Sequence, residues 1–154
     1  MPYYSKVLQP GETVRVVGRL HWLIYANAAV LLVIALAIAL LTAELNDPTQ
    51  RQLVLLLALV VAALGGLVFL GAWIRRKGTE IVVTDRRVIY KRGFITRRTV
   101  EMNISKVETV DVEQGIAGRL LGYGTVLIRG TGEGLEPLRH VEAPLTIRNA
   151  ITVG

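Results

Sequence analysis

The sequence predicts an α+β membrane protein, in which a transmembrane helical hairpin is followed by a run of short antiparallel strands and one closing helix. Three observations carry this reading. Two uncharged stretches, residues 23–43 and 53–72, stand only nine residues apart. After Gly78 the apolar runs give way to short β-branched segments with period-two alternation. Pro144 then stands at the first position of a final short helix over 145–151.

Each uncharged stretch, at ~1.5 Å of rise per residue, makes a helix about 30 Å long, the thickness of a bilayer's hydrocarbon core. A helix apolar on every face has no side to offer to water. A chain of 154 residues is too short to wrap two such helices in protein. The apolar run of the first stretch exceeds that of a secretory leader, and some twenty residues precede it, so it is expected to stay as a span. Lys6, Arg15 and Arg19 precede the first span and Arg75, Arg76 and Lys77 follow the second, whereas the linker 44–52 holds one Arg and two acids. Retention of Lys and Arg on the cytoplasmic side places both termini inside, at the inner membrane. Trp22, Tyr25 and Trp73 fall at that same interface, where amphipathic rings sit among headgroups. The expected division is a cytoplasmic segment over 1–22, the hairpin over 23–74 with spans of about 23–43 and 53–74, and a cytoplasmic β-rich domain over 78–154.

Within the spans, Ala35, Ala39 and Ala43 recur every four residues, as do Ala58, Ala62 and Gly66. Residues four apart share a helix face, and small side chains let helices approach closely in lipid. Pivoting on 46–48 brings Ala39 near Ala58 and Ala35 near Ala62; the same stripes also suit association between protomers. Neither span carries a charge, which argues against an ion or proton pathway.

In the second half, residues 80–84 and 88–91 read as a hairpin about Asp85-Arg86, followed by strands over 94–102, 107–114, 125–129 and 138–142. Gly-rich 115–124 reads as a bend with one helical turn, and Gly130–Gly134 as a hairpin turn. Before the first span, Pro10-Gly11 marks a turn and residues 13–17 an extended piece.

Charge concentrates after the second span. Residues 75–98 carry +7, from Arg75, Arg76, Lys77, Arg86, Arg87, Lys91, Arg92, Arg97 and Arg98 against Glu80 and Asp85, whereas 99–154 carry −2. A basic face of this kind is worth about 1 kcal/mol per residue against anionic lipid, and little beyond a Debye length. A solvated strand face whose counter-acids are supplied by folding is the competing reading.

Catalytic chemistry has little to stand on. Cysteine is absent, so there is no thiol nucleophile or thiolate metal site. His21 and His140 have no evident constellation, Ser5 and Ser105 lie outside nucleophile motifs, and Asp47, Asp85 and Asp111 are too scattered for a metal cage. The 130–134 turn lacks the Lys-Ser/Thr of a phosphate loop. No cofactor or metal is expected, and the protein is read as not an enzyme. Basicity alone also suggests nucleic acid, but there is no groove-entering helix or aromatic stacking face, so none is expected.

The run Thr79-Glu80-Ile81-Val82-Val83-Thr84-Asp85-Arg86-Arg87-Val88-Ile89 resembles the opening hairpin of bacterial pleckstrin-homology (PH) domains. Gly118-Arg119-Leu120-Leu121-Gly122-Tyr123-Gly124-Thr125-Val126 is similar to that family's second recurring signature. Leu8-Gln9-Pro10-Gly11-Glu12 and His21-Trp22 resemble its membrane-anchored branch. The resemblance implies a bent antiparallel sheet or partial barrel of about seven strands, capped by a C-terminal helix. That helix is short here, which leaves the barrel end incompletely capped or capped by another chain. Eukaryotic PH domains that bind phosphoinositides use a long basic loop between their first two strands. With Asp85-Arg86 as that connection, phosphoinositide specificity does not carry over. The resemblance thus implies a non-catalytic module with membrane lipids as partners, acting as a homo-oligomeric scaffold or protein-binding platform, or alternatively as a sensor of anionic headgroups.

Overall fold

The computed structural model describes residues 7–93, 98–131 and 136–152. The chain divides into two compact units, Trp22–Ile74 and, joined across it, Met1–His21 with Arg75–Gly154. Residues 94–97, the start of one expected strand, and most of the 130–134 turn lie outside the described residues.

The first unit is helical. A 3-10 turn over Trp22–Tyr25 leads into α1 (Ala26–Leu41), and a second over Thr42–Glu44 ends it. Helix α2 (Pro48–Gly78) begins where Asp47 accepts the Thr49 N–H at 2.8 Å and Pro48 takes the first helical position, both favoured starts. The stretches Trp22–Glu44 and Pro48–Gly78 are long and apolar enough to cross a membrane, and only 11% of each apolar window is buried. The contact seam differs from the expected four-residue stripes. Ala28, Ala35 and Thr42 are buried on one side, and Ala58, Gly65 and Ala72 on the other, every seven residues. Seven is close to two helical turns, so residues at this interval keep to one line of contact, as in a left-handed pair. Gly65 is in that line because a Cβ there would stand 3.1 Å from the Leu32 side chain. Ala35, Ala39, Ala58 and Ala62 border one shallow interhelical groove, but Ala43 and Gly66 are exposed and outside the seam. Tyr25 stacks on Phe69, with ring centroids 5.0 Å apart.

The second unit is two antiparallel sheets and a helix. Strands β1 (Val14–Gly18), β2 (Glu80–Thr84), β3 (Arg87–Arg92) and β4 (Arg98–Asn103) form one sheet in that order. Strands β5 (Val107–Glu113), β6 (Tyr123–Gly130) and β7 (Leu138–Glu142) form the other, with α3 (Ile116–Leu121) between β5 and β6 and α4 (Pro144–Thr152) last. Residues 1–22, set apart in the sequence expectation, therefore supply an edge strand: Val17 pairs with Val82 and Gly18 with Ile81. The 80–91 hairpin is not the opening of the fold. Its first strand is β1, and the helical unit is inserted between β1 and β2.

The sheets meet at two corners. A 3-10 turn over Ile104–Lys106 carries the chain from β4 to β5. At the other corner the chain beyond β1 bonds to β7, with Leu20 bridging Val141, His21 N–H donating to His140 O at 2.7 Å and Glu142 N–H donating to Arg19 O at 3.0 Å. The alternate residues Ile81, Val83, Val88, Tyr90, Val126 and Ile128 face inward and meet Leu138 and Val141 from β7. Ile147 and Ile151, one turn apart on α4, close this core. Gly18 makes the closure possible, since a Cβ there would lie 2.7 Å from Ile147 Cδ1 and 3.2 Å from Ile81 Cβ.

Gly18→Val is expected to pry α4 from the sheet at a cost of about 1–3 kcal/mol. A lowered thermal midpoint of the detergent-solubilised full chain checks this; an unchanged midpoint refutes the packing.

Candidate functional site

The basic residues counted in the sequence do not gather on one face. Arg87 pairs with Asn103 across β3 and β4, and Arg92 with Arg98, so the two cationic groups stand at opposite ends of β3, about 17 Å apart at ~3.3 Å per residue.

At one end Arg87 is a structural residue. Its Nε and Nη2 donate to both oxygens of Glu12 at 2.9 and 2.8 Å, its Nη1 donates to Glu101 at 2.7 Å, and Nη2 also reaches Val7 O at 3.0 Å. Glu12 further accepts the Gln9 N–H and the Thr84 hydroxyl, each at 2.8 Å, and its side chain is fully buried. Thr84 in turn accepts the N–H groups of Arg86 and Arg87 at 3.2 and 3.0 Å. These bonds, led by the Arg87 guanidinium, hold the Glu12 carboxyl down from 4.5 to about 2 against the opposing effect of burial. Glu12 likewise raises the Arg87 pKa above its ordinary value. The Pro10-Gly11 turn thus serves to deliver a carboxylate to the β2–β3 hairpin. Arg87, counted among headgroup residues in the sequence, is only 12% exposed at its side chain and belongs to this latch instead.

Folding supplies acids to others in the run. Lys91 lies 3.9 Å from Glu80, and exposed Arg86 4.0 Å from Asp85. Arg92 and Arg98 share the two oxygens of Glu136, at 3.3 and 3.1 Å. Arg76 donates to Leu20 O at 3.1 Å, and Lys77 is exposed. Arg97 lies outside the described residues. Trp22 and Trp73 are exposed.

At the other end of β3 a pocket of about 340 Å³ opens. Leu20, Arg75 and Thr79 wall it from the β1–β2 connection, Ile81 from β2, Tyr90 and Arg92 from β3, and Glu136 to Arg139 from the β6–β7 side. Three arginines, Arg75, Arg92 and Arg139, are among its lining residues, against one acidic residue, Glu136. Among the described residues Arg75 and Arg139 have no acid within ion-pair distance. Tyr90 is only 9% exposed, and burial pushes its phenol up, partly opposed by Arg92 and Arg75. It stays protonated at neutral pH and keeps an O–H to donate. Such a set can hold a phosphate-like anion by charge-assisted hydrogen bonds. Arg75 and Arg92 were expected to be functional, but Arg139 and Tyr90 were not. Arg139 could be found from parity, since Leu138 before it faces the core. Nothing in sequence placed it beside Arg75.

The structure also joins the two histidines. Tyr123 stacks on His21 at 5.3 Å and on His140 at 6.2 Å, at the corner where β7 meets the chain beyond β1. His140 adopts a φ of 58° where β7 breaks register against β6, and Ala143, just past the end of β7, a φ of 47°. Among the described residues no three His, Asp or Glu side chains are grouped to hold a metal.

Because Glu12 titrates below its ordinary value, its contribution to stability is complete above about pH 4.5 and is lost as pH falls toward 2. Glu12→Gln is expected to cost about 2–4 kcal/mol, by leaving Arg87 short of its charge partner, and to flatten that acid limb. Thermal midpoints of wild type and variant in detergent between pH 7 and pH 3 check both; parallel curves refute the latch.

A family model described as Bacterial PH domain matches residues 15–152, from β1 through the last residue of α4. No curated protein and no solved structure matches.

Proposed function

The chain belongs to the bacterial PH domain family, and on that premise we propose that it is a non-catalytic binding module, anchored in the inner membrane by its helical hairpin, that holds an anionic lipid headgroup. Both termini lie in the cytoplasm on this reading, from the Arg75, Arg76 and Lys77 cluster against a linker with one Arg. The observation that carries it is the pocket of Arg75, Arg92, Arg139 and Tyr90. Its walls include both ends of the β1–β2 connection, with Leu20 two residues before Trp22 and Arg75 directly after Ile74. With β1 as the first strand, that connection is the whole inserted hairpin rather than Asp85-Arg86. The basic residues that matter are therefore Arg75, Arg92 and Arg139, not the Arg86-Arg87 end.

Replacing Arg75, Arg92 and Arg139 by Gln is expected to weaken retention of phosphatidylglycerol, at about 1 kcal/mol or fivefold per residue, with Arg86→Gln near neutral. Mass spectrometry of the protein released from lipid nanodiscs, at low and high salt, reads this out. Equal retention by the triple variant and wild type overturns the headgroup reading.

A second reading, a homo-oligomeric scaffold that also binds a protein partner, is favoured by the uncovered faces of the hairpin. A Cβ on Gly66 or Gly71 would meet no atom within 4 Å. Small residues of this kind admit a second helix at close range in lipid. The mass of the complex in mild detergent is expected to exceed one chain; a strictly monomeric protein removes this reading.

A further inference from the structure

Helix α3 presents large apolar side chains in an unusual way. Ile116 and Leu120 are each 82% exposed and Leu121 45%, so the first two are barer than any large apolar residue of either membrane-length helix. They stand four apart and share a face. This is no slack loop. Gln114 Nε2 donates to Tyr123 O at 3.0 Å and to Gly118 O at 3.3 Å, tying both ends of the segment together. The helix stops at Gly122, whose φ of 74° suits glycine and whose N–H donates to Gly118 O. Gly118 lies against the Tyr123 backbone, where a Cβ would stand 2.6 Å from the carbonyl oxygen. With Gly118 turned inward and pinned, Ile116 and Leu120 are held outward.

Position supplies the occupant. Tyr123, against which α3 rests, stacks on His21, and His21 is bonded directly to Trp22, where the first membrane-length stretch begins. Arg119, exposed between the apolar residues, is the kind of side chain that lays its stem along an apolar surface while its head reaches phosphate. Together these match an interfacial helix, whose apolar side enters the boundary between headgroups and acyl chains. We infer that Ile116, Leu120 and Leu121 of α3 insert into the lipid interface of the membrane that the hairpin crosses, giving the β-rich unit a second point of attachment. This rests on the membrane-anchored reading of the hairpin.

The chain has no cysteine, so single substitutions can be labelled cleanly. Full-length Leu120→Cys and Ile116→Cys, each carrying an environment-sensitive fluorophore, are reconstituted in phosphatidylcholine and phosphatidylglycerol vesicles with or without brominated acyl chains. Leu36→Cys on α1 serves as the lipid reference and Asn149→Cys on α4 as the aqueous one. Labels at 120 and 116 are expected to be quenched by bromine to about half the extent of the label at 36, and that at 149 hardly at all. Labels at 120 and 116 that behave like 149 while 36 is quenched overturn the attachment and leave the hairpin in the membrane. Labels at 120 and 116 that are shielded from water yet untouched by bromine mean that a second copy or another protein covers α3, which also overturns it. An unquenched label at 36 removes the membrane reading itself, and this inference with it.

Discussion

The pairing of β1 with β2 governs the rest of the β-rich unit. Gly18 pairs with Ile81 across the entire inserted hairpin, and without that pairing β2 has no partner on its outer side. A flexible loop of that length would add a loop-closure cost that grows with the logarithm of its size. Two antiparallel helices change the problem, because they return the chain toward its starting point. The seam of Ala28, Ala35 and Thr42 against Ala58, Gly65 and Ala72 holds those two helices together. The strand pairing in turn positions everything beyond it: Leu20 and His21 reach β7, the corner closes, and Arg75 arrives at the pocket wall.

Charge is distributed by the same geometry. A +7 surplus over 75–98 looks like one basic surface in the sequence, but a strand separates its members by its own length. One end is consumed by Glu12 and Glu101, which use Arg87 to fasten the N-terminal segment to the β2–β3 hairpin. At the other end Glu136 balances Arg92 and Arg98, while Arg75 and Arg139, among the lining residues of the pocket, have no acid within ion-pair distance among the described residues. The net effect is a division of labour between arginines that composition treats alike.

Local pattern made the elements legible, and distance in sequence hid the arrangement. Strands β2, β3, β5 and β7, the helical turn before Gly122 and the Pro144 start of α4 all follow from alternation, turn residues and proline position. The α+β class and the family are legible in the 79–89 and 118–126 runs, but where one bent sheet of about seven strands is expected the seven strands divide into a sheet of four and a sheet of three. The extended piece at 13–17 was visible, but not its partner, because nothing local says that Val17 pairs with Val82. Without that contact, Asp85-Arg86 reads as the first connection. The site is hidden for the same reason, since Arg75, Tyr90 and Arg139 meet only after β1 and β7 are joined. Glu12 is not legible in the sequence because a lone acid near a turn reads as solvated, and its partner Arg87 lies 75 residues away.

The bond from Arg76 Nε to Leu20 O, 3.1 Å long, has a practical meaning for biochemistry. The two points at which the hairpin leaves and rejoins the β-rich unit are neighbours, so a linker of a few glycines and serines spans them. Replacing residues 22–74 by such a linker between 21 and 75 keeps all seven strands in one polypeptide. Cutting instead at Gly78 discards an edge strand, the Glu12 carboxylate and one wall of the cavity, and leaves the backbone of β2 open to sticking to other chains.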